Sequence, residues 1–346
     1  MNVAITGLNN VDNPAPGVPV IRAIKDSGEF TGRIIGLLYD TLEPGAYIPD
    51  VADVSYIIPY PSAGLENLFQ RIIMIHEKEK IDVIIPTLDS ELNGFIKLAP
   101  RLKELGIATY LPTADQLNLR AKDKLAEFCA KFDINVPKNI LATSMQDLYK
   151  IQSHFEYPVV IKGIFYDAAV VNNLEEAGTA FQKLQAKWGL PIIVQEFIAG
   201  DEYNVCALGD GSKMIGAVAM KKMYITDKGK GWSGITIHDA SLLSLSKKVI
   251  AALQWKSGLE LEFVKDKQTN EYFLLEINPR FPAWVYLPVA AGQNLPYALL
   301  KLALGKKIQP FTTYDVGKMF IRYSWDWITD IKEFETITVN GELHHE

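Results

Sequence analysis

Leu275-Glu276-Ile277-Asn278-Pro279-Arg280 is the most telling stretch of this chain, because of what precedes it. Glu262 stands 14 residues before Glu276, within Glu260-Leu261-Glu262-Phe263, so two apolar strand-like runs each carry a carboxylate. The polar stretch Lys265-Asp266-Lys267-Gln268-Thr269-Asn270 between them reads as a hairpin loop. A hairpin sets Glu262 and Glu276 side by side on one face, with Asn278, two residues along, pointing the same way. Two carboxylates and an amide oxygen form a hard oxygen site, suited to Mg²⁺ (or Mn²⁺) that also holds nucleotide phosphates. Arg280 then offers phosphate a planar fork of donors. Taken alone, the same hairpin reads equally as a surface element whose charges face water.

The bulk numbers narrow the setting. A chain of 346 residues can bury a substantial core in two or three domains. Its 48% hydrophobic and 22% charged content is that of an ordinary soluble globular protein. A net charge of −6 argues against general nucleic-acid binding. No apolar run approaches the ~20 residues needed to span a bilayer, so no membrane partner is expected. Met1 to Gly7 reads as a first strand and lacks the charged start and long apolar region of a signal peptide; a cytoplasmic enzyme is the expectation. Cys129 and Cys206 give neither a disulfide framework nor zinc spacing and should pack as small apolar side chains.

Residues 1–112 alternate short apolar runs with amphipathic stretches, which predicts a parallel sheet with helices on both faces. Strands are expected at Val3-Ala4-Ile5, Arg33 to Leu38, Val54 to Ile58 and Val83-Ile84-Ile85, with helices at Val18 to Lys25, Leu65 to Lys80 and Ser90 to Leu105. The loop after Gly7 lacks G-x-G-x-x-G, which disfavours a nicotinamide cofactor. Loops at the carboxyl ends of parallel strands still bind ligands, so Asn9, Asp12 and Asn13 are candidate substrate contacts. Asp89 and Glu91 follow a strand in the same way. Either could hold an amine, but the expected role is structural, with Asp89 capping the next helix.

From 113 to 190 the pattern changes to α+β. A helix starts at Thr113, Tyr157 to Gly163 is a strand ending in Lys162, and Leu174 to Lys187 is a helix. From 191 to 310, strands at Ile192 to Ile198, Asn204 to Leu208 and Met214 to Met220 lead through a basic loop to a helix at Ser241 to Leu253, the hairpin, and a helix at Pro296 to Leu304. Residues 311–346 form an aromatic C-terminal extension of unassigned role. Lys162 could set one ammonium against phosphate oxygens. Glu196-Phe197-Ile198 suits an adenine slot, with apolar walls and a carboxylate or carbonyl accepting from the exocyclic amine. Glu202 could accept both ribose hydroxyls. Singly, each of these reads as a solvated strand-end residue.

In order, these pieces resemble the ATP-grasp superfamily, especially the branch like carbamoyl-phosphate synthetase large-chain domains and carboxylate–amine ligases. The resemblance covers about residues 1–310. It implies an N-terminal parallel α/β domain followed by a two-lobed ATP-grasp fold, ATP and Mg²⁺ as cofactors, and small-molecule carboxylate and amine substrates; a homodimer is a family-level expectation. It further implies that Lys124 reaches nucleotide phosphate, Lys162 the α- and β-phosphates, and that Glu196, Phe197 and Ile198 form the adenine hinge. Glu202 would be the ribose acid, Glu262, Glu276 and Asn278 the metal ligands, and Arg280 the arginine on the γ-phosphate or acyl phosphate. The implied reaction is amide formation through an acyl phosphate. Bicarbonate activation is the alternative enzyme reading, and a nucleotide-binding regulator the non-enzymatic one. One departure stands out: Gly163 to Val170 has a single glycine where the family has a glycine-rich loop. The basic stretch Lys221 to Gly234 is a candidate mobile lid in its place, or a solvated basic turn.

Overall fold

Val3-Ala4-Ile5, Ile34 to Leu38, Val54 to Tyr56 and Val83 to Ile85 are apolar on both sides of the chain, as strands covered on both faces must be. In the computed structural model they form β1 (Asn2–Thr6), β2 (Arg33–Leu38), β3 (Val54–Ile57) and β4 (Val83–Ile85), all parallel, in the order β3-β2-β1-β4. The structure describes residues 1–9, 14–164, 167–226 and 231–345. Helices α1 (Gly17–Lys25), α2 (Leu65–Glu79) and α3 (Asp89–Glu104) connect these strands, and each buries its periodic apolar stripe. Past α3 the chain adds only one bridge, Ala108 to Val83.

Short helices α4 (Ala114–Leu119) and α5 (Leu125–Lys131) open the next unit. Thr113 starts α4 as read: its hydroxyl accepts from Gln116 N, and the Gln116 side chain caps Thr113 N in return. Then come β5 (Asn139–Ala142), α6 (Met145–Leu148), α7 (Ile151–His154), β6 (Val159–Lys162), β7 (Ala168–Val171), α8 (Leu174–Trp188) and β8 (Ile192–Glu196). The strands make an antiparallel sheet, β5-β8-β6-β7, packed under α8 with a core of its own around Ile161, Phe181 and Val194. The strand expected to open the second lobe, β8, therefore pairs into the sheet of the first.

The largest sheet comprises β9 (Gly200–Asp210), β10 (Met214–Ile225), β11 (Gly231–Thr236), β12 (Lys256–Asp266) and β13 (Tyr272–Asn278), with α9 (Ala240–Leu253) between β11 and β12. After α10 (Tyr286–Ala290) and α11 (Leu295–Ala303), β14 (Met319–Ile321) completes the order β13-β12-β9-β10-β11-β14. One face of this sheet is apolar: Val205, Ala207, Ala219, Leu261 and Phe263 share a core with Leu242, Val249 and Leu253 of α9. The opposite face is divided. Cys206, Leu208 and Met220 pack into the core of the N-terminal domain, whereas Glu202, Asn204, Glu260 and Glu262 line a cleft.

The C-terminal extension ties these parts together. Beyond β14, α12 (Ile331–Asn340) buries Ile337 in the N-terminal core, and β15 (Glu342–His344) pairs antiparallel with β3. Arg71 Nη2 donates to Gly341 O at 2.8 Å, and Lys78 pairs with Glu342 at 2.7 Å. The N-terminal sheet is thus a mixed five-stranded one, with an antiparallel edge that the reading of an all-parallel sheet did not contain. Among the described residues no helix is long and apolar enough to cross a membrane.

Candidate active site

The alternation Leu259-Glu260-Leu261-Glu262-Phe263 assigns faces to β12: the apolar residues go into the α9 core and the two carboxylates to the cleft. β13 joins it through the expected hairpin. Asp266 Oδ1 accepts from Gln268 N (2.6 Å) and Thr269 N (2.8 Å), and Asn270 adopts φ 61° to close the turn. The resulting register sets Glu262 opposite Glu276 and Glu260 opposite Asn278, with a bulge at Leu275 just after the turn side of the pair. Gly258 has no Cβ to obstruct the following turn; a Cβ there would stand 2.6 Å from the Phe281 ring. That close approach lets Pro279-Arg280-Phe281 fold back over β12.

Glu260 is the residue the sequence reading missed. It is 5% exposed and sits at the hub of the site. Its Oε1 accepts from Asn204 Nδ2 (2.6 Å) and Trp284 Nε1 (2.7 Å), and its Oε2 from Asn278 Nδ2 (3.1 Å) and Arg280 Nη1 (3.2 Å). The only signal was its place two residues before Glu262, which puts it on the same face. Glu262 accepts from Asn278 Nδ2 (2.8 Å) and from Lys222 Nζ (3.2 Å), and Lys222 also bonds Glu202 at 2.6 Å. Burial alone would raise the Glu262 carboxyl, but the Lys222 ammonium, the Arg280 guanidinium and the Asn278 amide outweigh it and bring it down to about 2. Glu260 goes the other way, raised by burial and by the Glu262 charge. Arg280 is held protonated despite its burial by Asp89, 3.1 Å from its Nε, and by Glu260.

The first lobe faces this hairpin with two ammonium groups. Lys162, at the end of β6, is buried, which lowers its pKa against the pull of Glu276 and with the help of Lys122. Lys122 Nζ lies 3.3 Å from Glu276 Oε1. Lys124, the lysine named from the resemblance, instead points out to solvent and bonds Asn118 Oδ1 at 2.6 Å. Two residues apart in the turn before α5, the two lysines thus face different partners. A cleft of about 340 Å³ between the lobes is lined by Lys122, Lys162, Ile193, Gln195, Leu274 and Leu275. Glu196 sits at its rim, its carboxylate accepting from Lys138 N at 3.1 Å, with Phe197 exposed and Ile198 half-buried beyond it. Lys122→Ala is expected to raise the KM for ATP about tenfold or more, and Lys124→Ala to leave it within about twofold. Steady-state kinetics of the two variants checks this, and the reverse ranking would restore Lys124.

The N-terminal domain supplies the wall opposite. Asp89 does not cap α3; it turns to Arg280, and the cap comes from Glu91, whose Oε1 accepts from Leu88 N (2.8 Å) and Thr87 N (2.7 Å). Thr6 Oγ1 and Tyr39 OH also donate to Glu91, so this carboxyl ties the ends of β1, β2 and β4 together rather than facing a ligand. Burial pushes its pKa up to about 7. A carboxyl raised in the folded state is protonated there while the unfolded chain has lost its proton, so stability falls as pH rises from about 4.5 to about 7. Glu91→Gln should flatten that part of the pH profile by a few kcal/mol. Parallel melting curves of the two proteins between pH 5 and 8 would refute it. Asn9 lies at the rim of this domain, with its carbonyl accepting from Ala15 N at 2.9 Å; Asp12 and Asn13 lie outside the described residues.

Both stretches considered for phosphate cover are described only in part. The stretch Lys221 to Gly234 is mostly ladder: β10 runs to Ile225 and β11 begins at Gly231, with Asp227 to Lys230 outside the described residues. Lys222 is buried on Glu202 (2.6 Å), whereas Lys221 pairs with Asp201 (2.6 Å) at the surface. The segment after Lys162 is a short connection between β6 and β7. Gly163 N donates to Asp167 O at 3.1 Å, and Asp167 is anchored to Lys187 (2.7 Å) and Trp188 (2.8 Å); Phe165 and Tyr166 lie outside the described residues. From the C-terminal extension, Arg322 reaches toward the cleft, with its Nε on Gly231 O at 3.2 Å and its charge felt by Glu260.

The donor set fits a hard divalent cation. Asn278 gives its amide hydrogens to Glu260 and Glu262, so two carboxylates and an amide, all oxygen-bearing groups, share one patch of the hairpin. Among the described residues no three His, Cys, Asp or Glu side chains gather into a metal site, so the amide oxygen would be the third protein ligand.

The chain is similar in sequence and fold to several known proteins. Residues 190–323 match the family model described as ATP-grasp in the biosynthetic pathway with Ter operon. The carbamoyl phosphate synthase large chain of Clostridium beijerinckii is 24% identical over 275 residues, 75% of this chain and 25% of that one. The chain thus spans about a quarter of that relative's length. The biotin carboxylase domain dimer of Hydrogenobacter thermophilus 2-oxoglutarate carboxylase, solved with MgADP, ADP and bicarbonate, superposes with a TM-score of 0.68 at 18% identity, covering 90% of this chain and 73% of that one. An L-amino acid ligase from Bacillus licheniformis gives a TM-score of 0.66 at 15% identity, covering 89% and 75%.

Proposed function

We propose that this chain, an ATP-grasp protein, is an ATP-dependent ligase that activates a substrate carboxylate as an acyl phosphate and passes it to an amine. The carboxylate oxygen bonds to the γ-phosphorus as the bond to ADP breaks; the amine nitrogen then attacks the acyl carbon, phosphate leaves, and the amine proton goes to solvent. The observation that carries this reading is the in-register pair Glu262 and Glu276, with Asn278 and Arg280 from the same hairpin, facing Lys122 and Lys162 across the cleft.

In this reading Lys122 and Lys162 bind phosphate oxygens, and the lowered pKa of Lys162 recovers when an anion arrives. Gln195 to Ile198 take the adenine, and Glu202 the ribose, exchanging its Lys222 partner for hydroxyls. Glu262, Glu276 and Asn278 would hold Mg²⁺ or Mn²⁺. A bound divalent ion supplies charge neutralisation and orientation to the phosphates. Arg280, fixed by Asp89 and Glu260, steadies the anion being transferred, and a preset donor needs no reorganisation when charge moves.

Bicarbonate in place of the carboxylate is the second reading, favoured by the likeness to a domain solved with MgADP and bicarbonate. ADP and phosphate release with Mg-ATP against amino acids, dipeptides and bicarbonate, with mass spectrometry of products, separates the two. A product one water lighter than carboxylate plus amine supports the ligase. ADP release with bicarbonate alone supports the second reading, and tight ATP binding without turnover across the panel refutes both for those substrates.

A further inference from the structure

The strand β14 is the outer edge of the large sheet, and it is an unusually apolar edge. Met319, Ile321, Tyr323, Trp325, Trp327 and Ile328 are 51–86% exposed. Such an edge invites pairing, and proteins ordinarily blunt it with charge, proline or a cover. Its backbone has an open side. Thr236 N donates to Lys318 O (2.8 Å) and Arg322 N to Trp232 O (3.0 Å), so the even-numbered residues bond to β11. The N–H and C=O groups of Met319, Ile321 and Tyr323 therefore turn outward, away from the sheet. The side chains alternate too: Arg322 goes to the cleft, and Met319 and Ile321 stand on the other face, opposite Ile235 and Ser233.

We propose that β14 pairs antiparallel with β14 of a second copy of this chain, joining the two large sheets across a two-fold axis at Ile321. An isologous contact of this kind needs a self-complementary strip, and this one is. With Ile321 opposite Ile321 of the second copy, Met319 of each copy meets Tyr323 of the other, apolar against apolar. Lys318 then lies diagonal to Asp326 of the other copy, within reach for a favourable charge pair. Within one copy the half-exposed Lys318 ammonium lies 3.7 Å from the exposed Asp315, a loose surface pair. The exposed side chains amount to roughly 800 Å² per copy, so the apolar surface on offer reaches the scale of a standard stable interface even though pairing covers only part of it. With Lys318 and Arg322 balanced by Asp326 and Asp330, the strip has no net positive charge, which suits neither nucleic acid nor a lipid surface.

The test uses the full chain. Sedimentation at micromolar concentration should give a dimer, and Ile321→Lys a monomer with unchanged far-ultraviolet circular dichroism. Ile321→Cys supplies an independent readout of register. Directly opposed residues in a hydrogen-bonded pair lie about 5.5 Å apart at Cα, inside the roughly 4.4–6.8 Å disulfide range. Mild oxidation should therefore link two I321C chains covalently; Cys129 and Cys206 are buried and do not compete. A monomeric wild-type chain, a dimer that survives Ile321→Lys, or I321C chains that fail to cross-link would overturn the proposal. Should Ile321→Lys disturb folding, the I321C cross-link decides alone.

Discussion

Glu276→Ala is expected to lower ADP formation by at least about 10²–10³-fold while leaving the protein folded. The two halves of that expectation come from different features of one side chain. Glu276 is half-buried at the cleft and pairs with Lys122 at 3.3 Å, 17% exposed on the lysine side. A pair of that exposure contributes on the order of 1 kcal/mol or less to stability, so the melting temperature should move by no more than about 2–3 °C. In the proposed function Glu276 matters far more, because it is the partner in register with Glu262 and would bring the second carboxylate to the divalent ion on the nucleotide phosphates. Its loss leaves Lys122 and Lys162 facing phosphate with only one carboxylate to anchor a divalent ion. ADP release and thermal unfolding on the same sample check both halves. A folded variant that still turns over at more than a tenth of the wild-type rate would sink the assignment.

Glu260→Ala should show the opposite balance, a large loss of stability whatever happens to activity. This carboxylate is buried and takes hydrogen bonds from four donors on three elements: Asn204 of β9, Asn278 of β13, and Arg280 and Trp284 beyond it. Removing it strips the Arg280 guanidinium of one of two acidic partners and leaves the Trp284 N–H and two amides short of acceptors inside the protein. Breaking a buried pair from one side typically costs about 3–5 kcal/mol, which for a chain of this length means a fall of roughly 5–10 °C. Glu260→Gln, which keeps an acceptor oxygen, should fall between. Thermal and urea unfolding measure it; a melting temperature within about 2 °C of wild type would mean that the hub is dispensable.

The expected behaviours differ although the two acids lie on adjacent strands of one face. Reading the hairpin from sequence found Glu276 and passed over Glu260. A period of two was enough to say that Glu260, Glu262, Glu276 and Asn278 share a face. It could not say which member the neighbouring strands and the Trp284 turn would enclose. The same distinction separates Lys122 from Lys124. Both are polar residues in one short turn, and only the packing of α4 and α5 against β13 aims one at Glu276 and the other at Asn118. The cap expected of Asp89 fell to Glu91 for a related reason. The capping residue is set by which carboxylate reaches the free N–H groups of Thr87 and Leu88, whereas the partner of Asp89 is an arginine 191 residues away.

What the amino-acid sequence determined by itself is therefore the local and periodic part. It set the helices and strands of the first 112 residues, the hairpin and its register, the cap at Thr113, and the order of motifs that points to ATP-grasp. These follow from interactions within a few residues, in which side-chain spacing and turn chemistry already specify the answer. Only the tertiary structure decided the rest: the pairing of β8 into the first lobe, the return of β15 to the edge of the N-terminal sheet, the ladder around Lys222, and which of Lys122 and Lys124 stands beside Glu276. Each depends on contacts between segments far apart in the chain. Their energies come from burial and from pairing of charges across elements, and nothing within one segment records which distant partner will satisfy it.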